Sequence, residues 1–214
     1  MGVILFDFDF TLGDSSKGIL ECFRYALESC GLPVPDEQTI LSTVGMSLPD
    51  SFAILASGGC FETLRERFIR RGDEVMVAWS IVYDGVPETV SALRSRGYKT
   101  GVVTSKFRRR IEAVLTREGL SHLFDVIVGA EDIPNHKPNP DGIQLAMRKL
   151  GVGPEHTTYI GDALVDLKSA QAAGVRFIGV ATGPTQAKDF LDSGVPVISS
   201  LGELLDLLEE RCHV

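Results

Sequence analysis

The run Val3-Ile4-Leu5-Phe6-Asp7-Phe8-Asp9-Phe10-Thr11-Leu12 decides how the chain is read. Four apolar residues, three of them β-branched or aromatic, predict a short buried strand. Two carboxylates two residues apart follow it at once, and acids there are costly unless a cation or hydrogen bonds neutralise them. Downstream, short apolar runs recur at Tyr98–Val103, Phe124–Val128, Thr157–Ile160, Val175–Val180 and Val195–Ile198. Between them lie amphipathic stretches with readable ends. One starts at Pro87 and stops at Gly97, one runs from Asn139 and Pro140 to Gly151, and one runs from Val165 to Ala173 before Gly174. Strand–helix alternation predicts an α/β fold, a Rossmann-like parallel sheet covered by helices on both faces.

Residues 15–82 break that alternation. Ile19, Leu20, Phe23, Ala26, Leu27 and Cys30 repeat at helical spacing and stop at Gly31. Further helices are expected near Asp36–Val44, Leu48–Leu55, Glu62–Arg71 and Asp73–Val82, with no strand among them. An inserted all-helical cap domain at 15–82, within a core made of 1–14 and 83–214, is the expected organisation. A length of 214 residues suits one domain carrying such an insertion.

Lys and Arg number 21 against 29 Asp and Glu, a net charge of −8 with a pI near 5.0. That balance disfavours a partner of nucleic acid or an anionic membrane, both of which need a basic face. Cys22, Cys30, Cys60 and Cys212 show no metal-ligand spacing and predict a reducing, cytoplasmic setting. The apolar start, Val3 to Phe6, is cut by Asp7 and Asp9, unlike a signal peptide.

In an open parallel sheet the ligand site lies at the carboxyl ends of the strands. There the sequence places Asp7 and Asp9, then Thr104-Ser105-Lys106 after the strand ending at Val103, then Gly161-Asp162 and Asp166 after Ile160. Lys137 stands between these in His136-Lys137-Pro138-Asn139-Pro140, where the prolines predict a fixed turn. Lys106 heads the most basic run, with Arg108-Arg109-Arg110, read as a solvated helix face. His136 reads as a turn residue, and Cys22 and Cys30 as part of the cap's core.

The ordered set of DFDFTL at Asp7, VVTSK at Thr104, HKPNPD at Lys137 and GDALVDLKSA at Asp162 resembles the haloacid dehalogenase-like hydrolases. The likeness covers essentially the whole chain, and within the family it is to the phosphoglycolate phosphatase branch with a helical cap. The resemblance implies a Mg²⁺-dependent phosphatase acting on a small phosphorylated metabolite, a phosphoglycolate-like phosphomonoester, through an aspartyl-phosphate. Asp7 is then the nucleophile and Asp9 the general acid and base, with Thr104 and Lys137 completing the catalytic set. The implied metal ligands are the Asp7 carboxylate, the Asp9 main-chain carbonyl and Asp162, with Asp166 in support. Substrate contacts fall to Ser105, Thr11 and, in the cap loop Val44–Leu48, Ser47. One of Arg65, Arg67, Arg70 and Arg71 could add charge from the cap. Phe10 stands where many relatives have Gly, and Ala163 where they often have Thr or Ser.

The same four motifs serve a β-phosphoglucomutase-like phosphotransferase, and pyrophosphate hydrolysis is a further alternative. A binding protein without turnover would need a broken motif, and none is broken. Asp9 with Asp162 and Asp166 argues against metal-free dehalogenation. Lys17 alone among residues 14–84 disfavours Schiff-base chemistry from the cap.

Overall fold

A computed structural model describes residues 2–210, so Cys212 lies outside the described residues. The first strand, β1 (Val3–Phe6), is wholly buried. It pairs in parallel with β4 (Lys99–Val103) on one side and β6 (Thr157–Gly161) on the other. β5 (Val126–Val128), β7 (Arg176–Val180) and β8 (Val197–Ile198) complete a parallel six-stranded sheet ordered β5-β4-β1-β6-β7-β8. Alternate residues of β1 enter different cores, as a strand's two-residue period requires. Ile4 and Phe6 pack with α5 (Val86–Ser95), α6 (Arg108–Arg117) and α10 (Leu204–Glu210). Val3 and Leu5 pack with α7 (Asp141–Leu150), α8 (Leu164–Ala173) and α9 (Ala187–Asp192).

Register carries the site. Phe6 sits opposite Val102 of β4 and Ile160 of β6. The residues just beyond, Asp7, Thr104 and Asp162, therefore leave the sheet at one edge. The Asp7 amide still donates to the Ile160 carbonyl at 2.8 Å, extending the ladder by one residue.

The helical insertion contains α1 (Ser16–Glu28), α2 (Glu37–Leu41), α3 (Leu48–Leu55) and α4 (Phe61–Trp79). It has its own apolar cluster, in which Phe23 stacks with Phe52 and Phe68 at centroid distances of 5.1 and 4.7 Å, and Cys22 is buried. Aromatic contacts of this kind contribute about 0.5–1.5 kcal/mol beyond their area. Phe10, from the loop after β1, joins this cluster.

Two expectations change here. The helices expected at Glu62–Arg71 and Asp73–Val82 are one, α4, running through Gly72. Gly72 is a contact rather than a stop, since a Cβ there would lie 2.6 Å from the Arg110 guanidinium. The insertion is also closed by an antiparallel pair, β2 (Gly13–Asp14) with β3 (Ile81–Val82), in a stretch expected to be helical at 81–82. Among the described residues no helix is long and apolar enough to cross a membrane.

Arg110, expected on a solvated face, is buried between α6 and α4. It donates to Asp73 Oδ1 at 2.7 and 3.0 Å and to the Ile69 carbonyl at 2.8 Å. Arg109 reaches the same Asp73 from an exposed position. Arg110→Ala should lower unfolding stability by about 1.5–3 kcal/mol, as buried hydrogen bonds to charged groups do. Arg109→Ala should cost less than about 1 kcal/mol. Urea denaturation of both variants checks this, and equal small losses would contradict it.

Candidate active site

The loop after β1 is a tight turn. Phe8's carbonyl accepts from the amides of Thr11, Leu12 and Gly13, and Phe10's amide donates to the Gly13 carbonyl. Phe10 takes φ 54°, a left-handed conformation that costs a residue with a side chain roughly 1–2 kcal/mol. Here the ring's packing into the helical cluster offsets the strain. The Thr182 hydroxyl also holds the Phe10 carbonyl.

Around this turn Asp7, Asp9, Asp162 and Asp166 are all buried. Carboxylate oxygens of Asp7, Asp162 and Asp166 lie within 4.8 Å of one another. Lys137 Nζ lies 3.0 Å from Asp7 Oδ1 and 2.7 Å from Asp166 Oδ1. Lys106 Nζ lies 3.2 Å from Asp9 Oδ1. Thr11 Oγ1 donates to Asp162 Oδ1 at 3.3 Å. Asp166 is fastened further by the Ala163 amide to Oδ2 at 3.1 Å. The Tyr159 hydroxyl lies 3.2 Å from Asp166 Oδ1 and 2.9 Å from the Val103 carbonyl, with one proton to give. A Cβ on Gly161 would sit 2.5 Å from Asp166 Oδ2, so glycine alone lets β6 pass this close to the acid.

Thr104 is buried, with its hydroxyl accepting from the Lys106 amide at 3.2 Å. Ser105 Oγ donates to the Gly45 carbonyl at 2.9 Å and so ties the helical insertion to the core. Asn139's amide donates to the His136 carbonyl, which makes His136 a turn residue and fixes Lys137. Ser47 lies apart from the acids. It caps α3, with Oγ accepting from the Asp50 amide and donating to Asp50 Oδ2 at 2.6 Å. It faces a separate cleft with Arg65 and His136. Arg71 pairs with Glu21 and Glu74, and Arg70 reaches Tyr25.

The charges do not balance among these residues. Four acids against Lys106 and Lys137 leave two negative charges in a dry site if all are ionised, a deficit of the size a divalent cation fills. Asp7 Oδ1 and Asp9 Oδ1 are buried with no hydrogen bond in bonding geometry. Burial, working against Lys137 and reinforced by Asp166 and Asp9, pushes the Asp7 carboxyl up from 3.8 to about 7. Burial, then repulsion from Asp166 and Asp7, pushes Asp162 well above the usual carboxylate range. Lys137 is held charged because Asp166 and Asp7 outweigh its own burial. An all-oxygen, all-carboxylate set fits a hard cation such as Mg²⁺.

Lys106 is brought to Asp9 and Tyr159 to Asp166, pairings that the sequence does not show. Lys106 lay in a basic run that looked solvated, and Tyr159 looked like an ordinary buried strand residue. Only the pairing of β4, β1 and β6 reveals their partners.

Residues 4–180 match the model of the family described as haloacid dehalogenase-like hydrolase. The chain is 33% identical to pyrophosphatase PpaX of Bacillus pumilus over 85% of this chain and 83% of that one. It is 31% identical to the N-acetylmuramic acid 6-phosphate phosphatase of Pseudomonas aeruginosa over 87% and 84%. A crystal structure of a haloacid dehalogenase-like hydrolase from Bacteroides fragilis superposes with a TM-score of 0.90 at 39% identity, covering 95% of this chain and 99% of that one. The chain belongs to the haloacid dehalogenase-like hydrolases, among their phosphatases.

Raised carboxyl pKa values have a definite sign. Between 3.8 and about 7 the folded, cation-free protein binds more protons at Asp7 than the unfolded chain. Stability from this group therefore falls as pH rises through that window. A cation must displace the proton, so apparent Mg²⁺ affinity should weaken about tenfold per pH unit as pH falls below about 7. Thermal melts with and without Mg²⁺ should show a larger Mg²⁺-induced rise at pH 8 than at pH 5.5. An equal or larger rise at pH 5.5 would contradict it.

Proposed function

We propose that the protein is a Mg²⁺-dependent phosphatase that hydrolyses a small phosphomonoester through an aspartyl-phosphate on Asp7. The carrying observation is the contact of Lys137 with both Asp7 and Asp166 inside a buried acid cluster. A structural salt bridge needs one carboxylate, whereas here one ammonium is shared by two, and Lys137 opposes the protonation that burial favours at Asp7. Asp7, Asp162 and the Asp9 carbonyl would hold Mg²⁺. The ion would neutralise the phosphoryl oxygens and lower the cost of bringing two anions together. Asp166, with both oxygens already bonded, holds Lys137 in place.

An Asp7 oxygen attacks phosphorus while Asp9 gives its proton to the departing ester oxygen. Asp9 then takes a proton from water as that water attacks the phosphoryl group, and Asp7 is released. Thr104 and the Ser105 amide hold phosphoryl oxygens, and Lys137 supplies a fixed point charge. Thr11, bonded to Asp162, positions that acid in this reading instead of touching substrate. Residues 15–82 serve as the cap that closes over the site, and the core is 1–14 with 83–214. The unpaired Cys22, Cys30 and Cys60 support a cytoplasmic setting.

Pyrophosphate hydrolysis is the second reading, favoured by the likeness to PpaX. Asp7→Asn should lower phosphate release from p-nitrophenyl phosphate by at least roughly 10³-fold, the scale of losing a nucleophile. Its Mg²⁺-induced thermal shift should largely remain. Turnover like the parent's would overturn the mechanism.

A further inference from the structure

The space beside Asp9 is not built for a second anion. A cavity of about 70 Å³ opens between the helical insertion and the core, and Asp9 lines it together with Ser105, Lys106 and Arg110. Its remaining wall is mostly apolar, formed by Ile19, Phe23, Val44, Leu48, Phe68 and Met76. Asp9 is the acid that protonates the departing oxygen, so whatever the phosphate is attached to must occupy this cavity.

Recognition of a carboxylate or phosphate calls for several charge-assisted donors converging on it. The hydroxyls of this wall have given theirs away. Thr43 Oγ1 donates to the Ile40 carbonyl at 2.8 Å, Ser51 Oγ to the Thr43 carbonyl at 3.4 Å, and Ser105 Oγ to the Gly45 carbonyl at 2.9 Å. Arg110 is neutralised by Asp73 and further held by the Ile69 carbonyl. Lys106 is matched by Asp9, and its Nζ is 3.5 Å from the Met76 sulfur. The lining thus holds two cations, Arg110 paired with Asp73 and Lys106 paired with Asp9 while Asp9 is ionised. A charged leaving group would lose its water there and gain at most Lys106, the one cation freed when Asp9 carries its proton.

We infer that the cavity selects a phosphomonoester whose alcohol is uncharged and apolar near the ester oxygen, and rejects pyrophosphate and phosphocarboxylates such as phosphoglycolate. This rests on the proposed phosphatase reaction and moves its substrate away from the phosphoglycolate-like compound that the sequence resemblance implies. Asp9 with Lys106 handles the ester oxygen, and the Phe23 and Phe68 side of the cavity takes the carbon skeleton.

The test compares kcat/KM of the full chain with Mg²⁺ on benzyl phosphate, n-butyl phosphate, 2-phosphoglycolate and pyrophosphate. Neither of the first two has an activated leaving group, so the comparison reads recognition. Both apolar esters should exceed both anionic substrates by about tenfold or more, the discrimination expected when polar groups find no partner. Leu48→Arg, which adds an unpaired cation to the wall, should shift the anionic-to-apolar ratio upward by about tenfold. Either anionic substrate matching the apolar esters would overturn the inference while leaving the phosphatase reading intact. So would an unchanged ratio in Leu48→Arg. Phosphate release from none of the four, at the level of Asp7→Asn, would overturn the phosphatase reading and this inference with it.

Discussion

The structure depends on keeping four carboxylates out of water within reach, among the described residues, of two ammonium groups. Asp7, Asp9, Asp162 and Asp166 are each less than a tenth exposed, and Lys106 and Lys137 are their cationic partners. Such a cluster is expensive in a low-dielectric interior. Without a cation, protons relieve it, as the raised Asp7 and Asp162 carboxyls indicate. In the proposed mechanism a divalent ion would remove the repulsion and free the Asp7 carboxylate to act as a nucleophile. The same electrostatic deficit would then underlie metal demand, pH dependence and reactivity.

Everything around the cluster serves to hold it. The parallel pairing of β4, β1 and β6 sets Asp7, Thr104 and Asp162 at one edge of the sheet. Gly161 allows Asp166 to close in from α8, and Tyr159 braces it from below. The helical insertion reaches the site twice, through Phe10 in its apolar cluster and through the Ser105–Gly45 hydrogen bond. Arg110 and Gly72 supply a third junction, behind the cavity. These contacts tie the insertion to the turn that carries Asp7 and Asp9.

Much of this was legible in the chain because it is local. β1 runs over the residues expected, and the helices ending at Gly151 and Gly174 stop at those left-handed glycines. The acids and Lys137 fall at strand ends and a proline-bound turn, which order alone reveals. What was missed depends on partners distant in sequence. Gly72 reads as a helix stop until Arg110, 38 positions on, is seen against it. Lys106 and Arg110 read as solvated until Asp9 and Asp73 are placed beside them. Ser47 reads as a substrate hydroxyl, yet its bonds to Asp50 make it a helix cap.

Diffraction from crystals grown with Mn²⁺, at a wavelength where manganese scatters anomalously, tests the electrostatic account most directly. A single strong peak between the Asp7 and Asp162 carboxylates, with Lys137 still against Asp7, is the predicted result. No peak there at saturating Mn²⁺, or one bound only at surface acids, would contradict it.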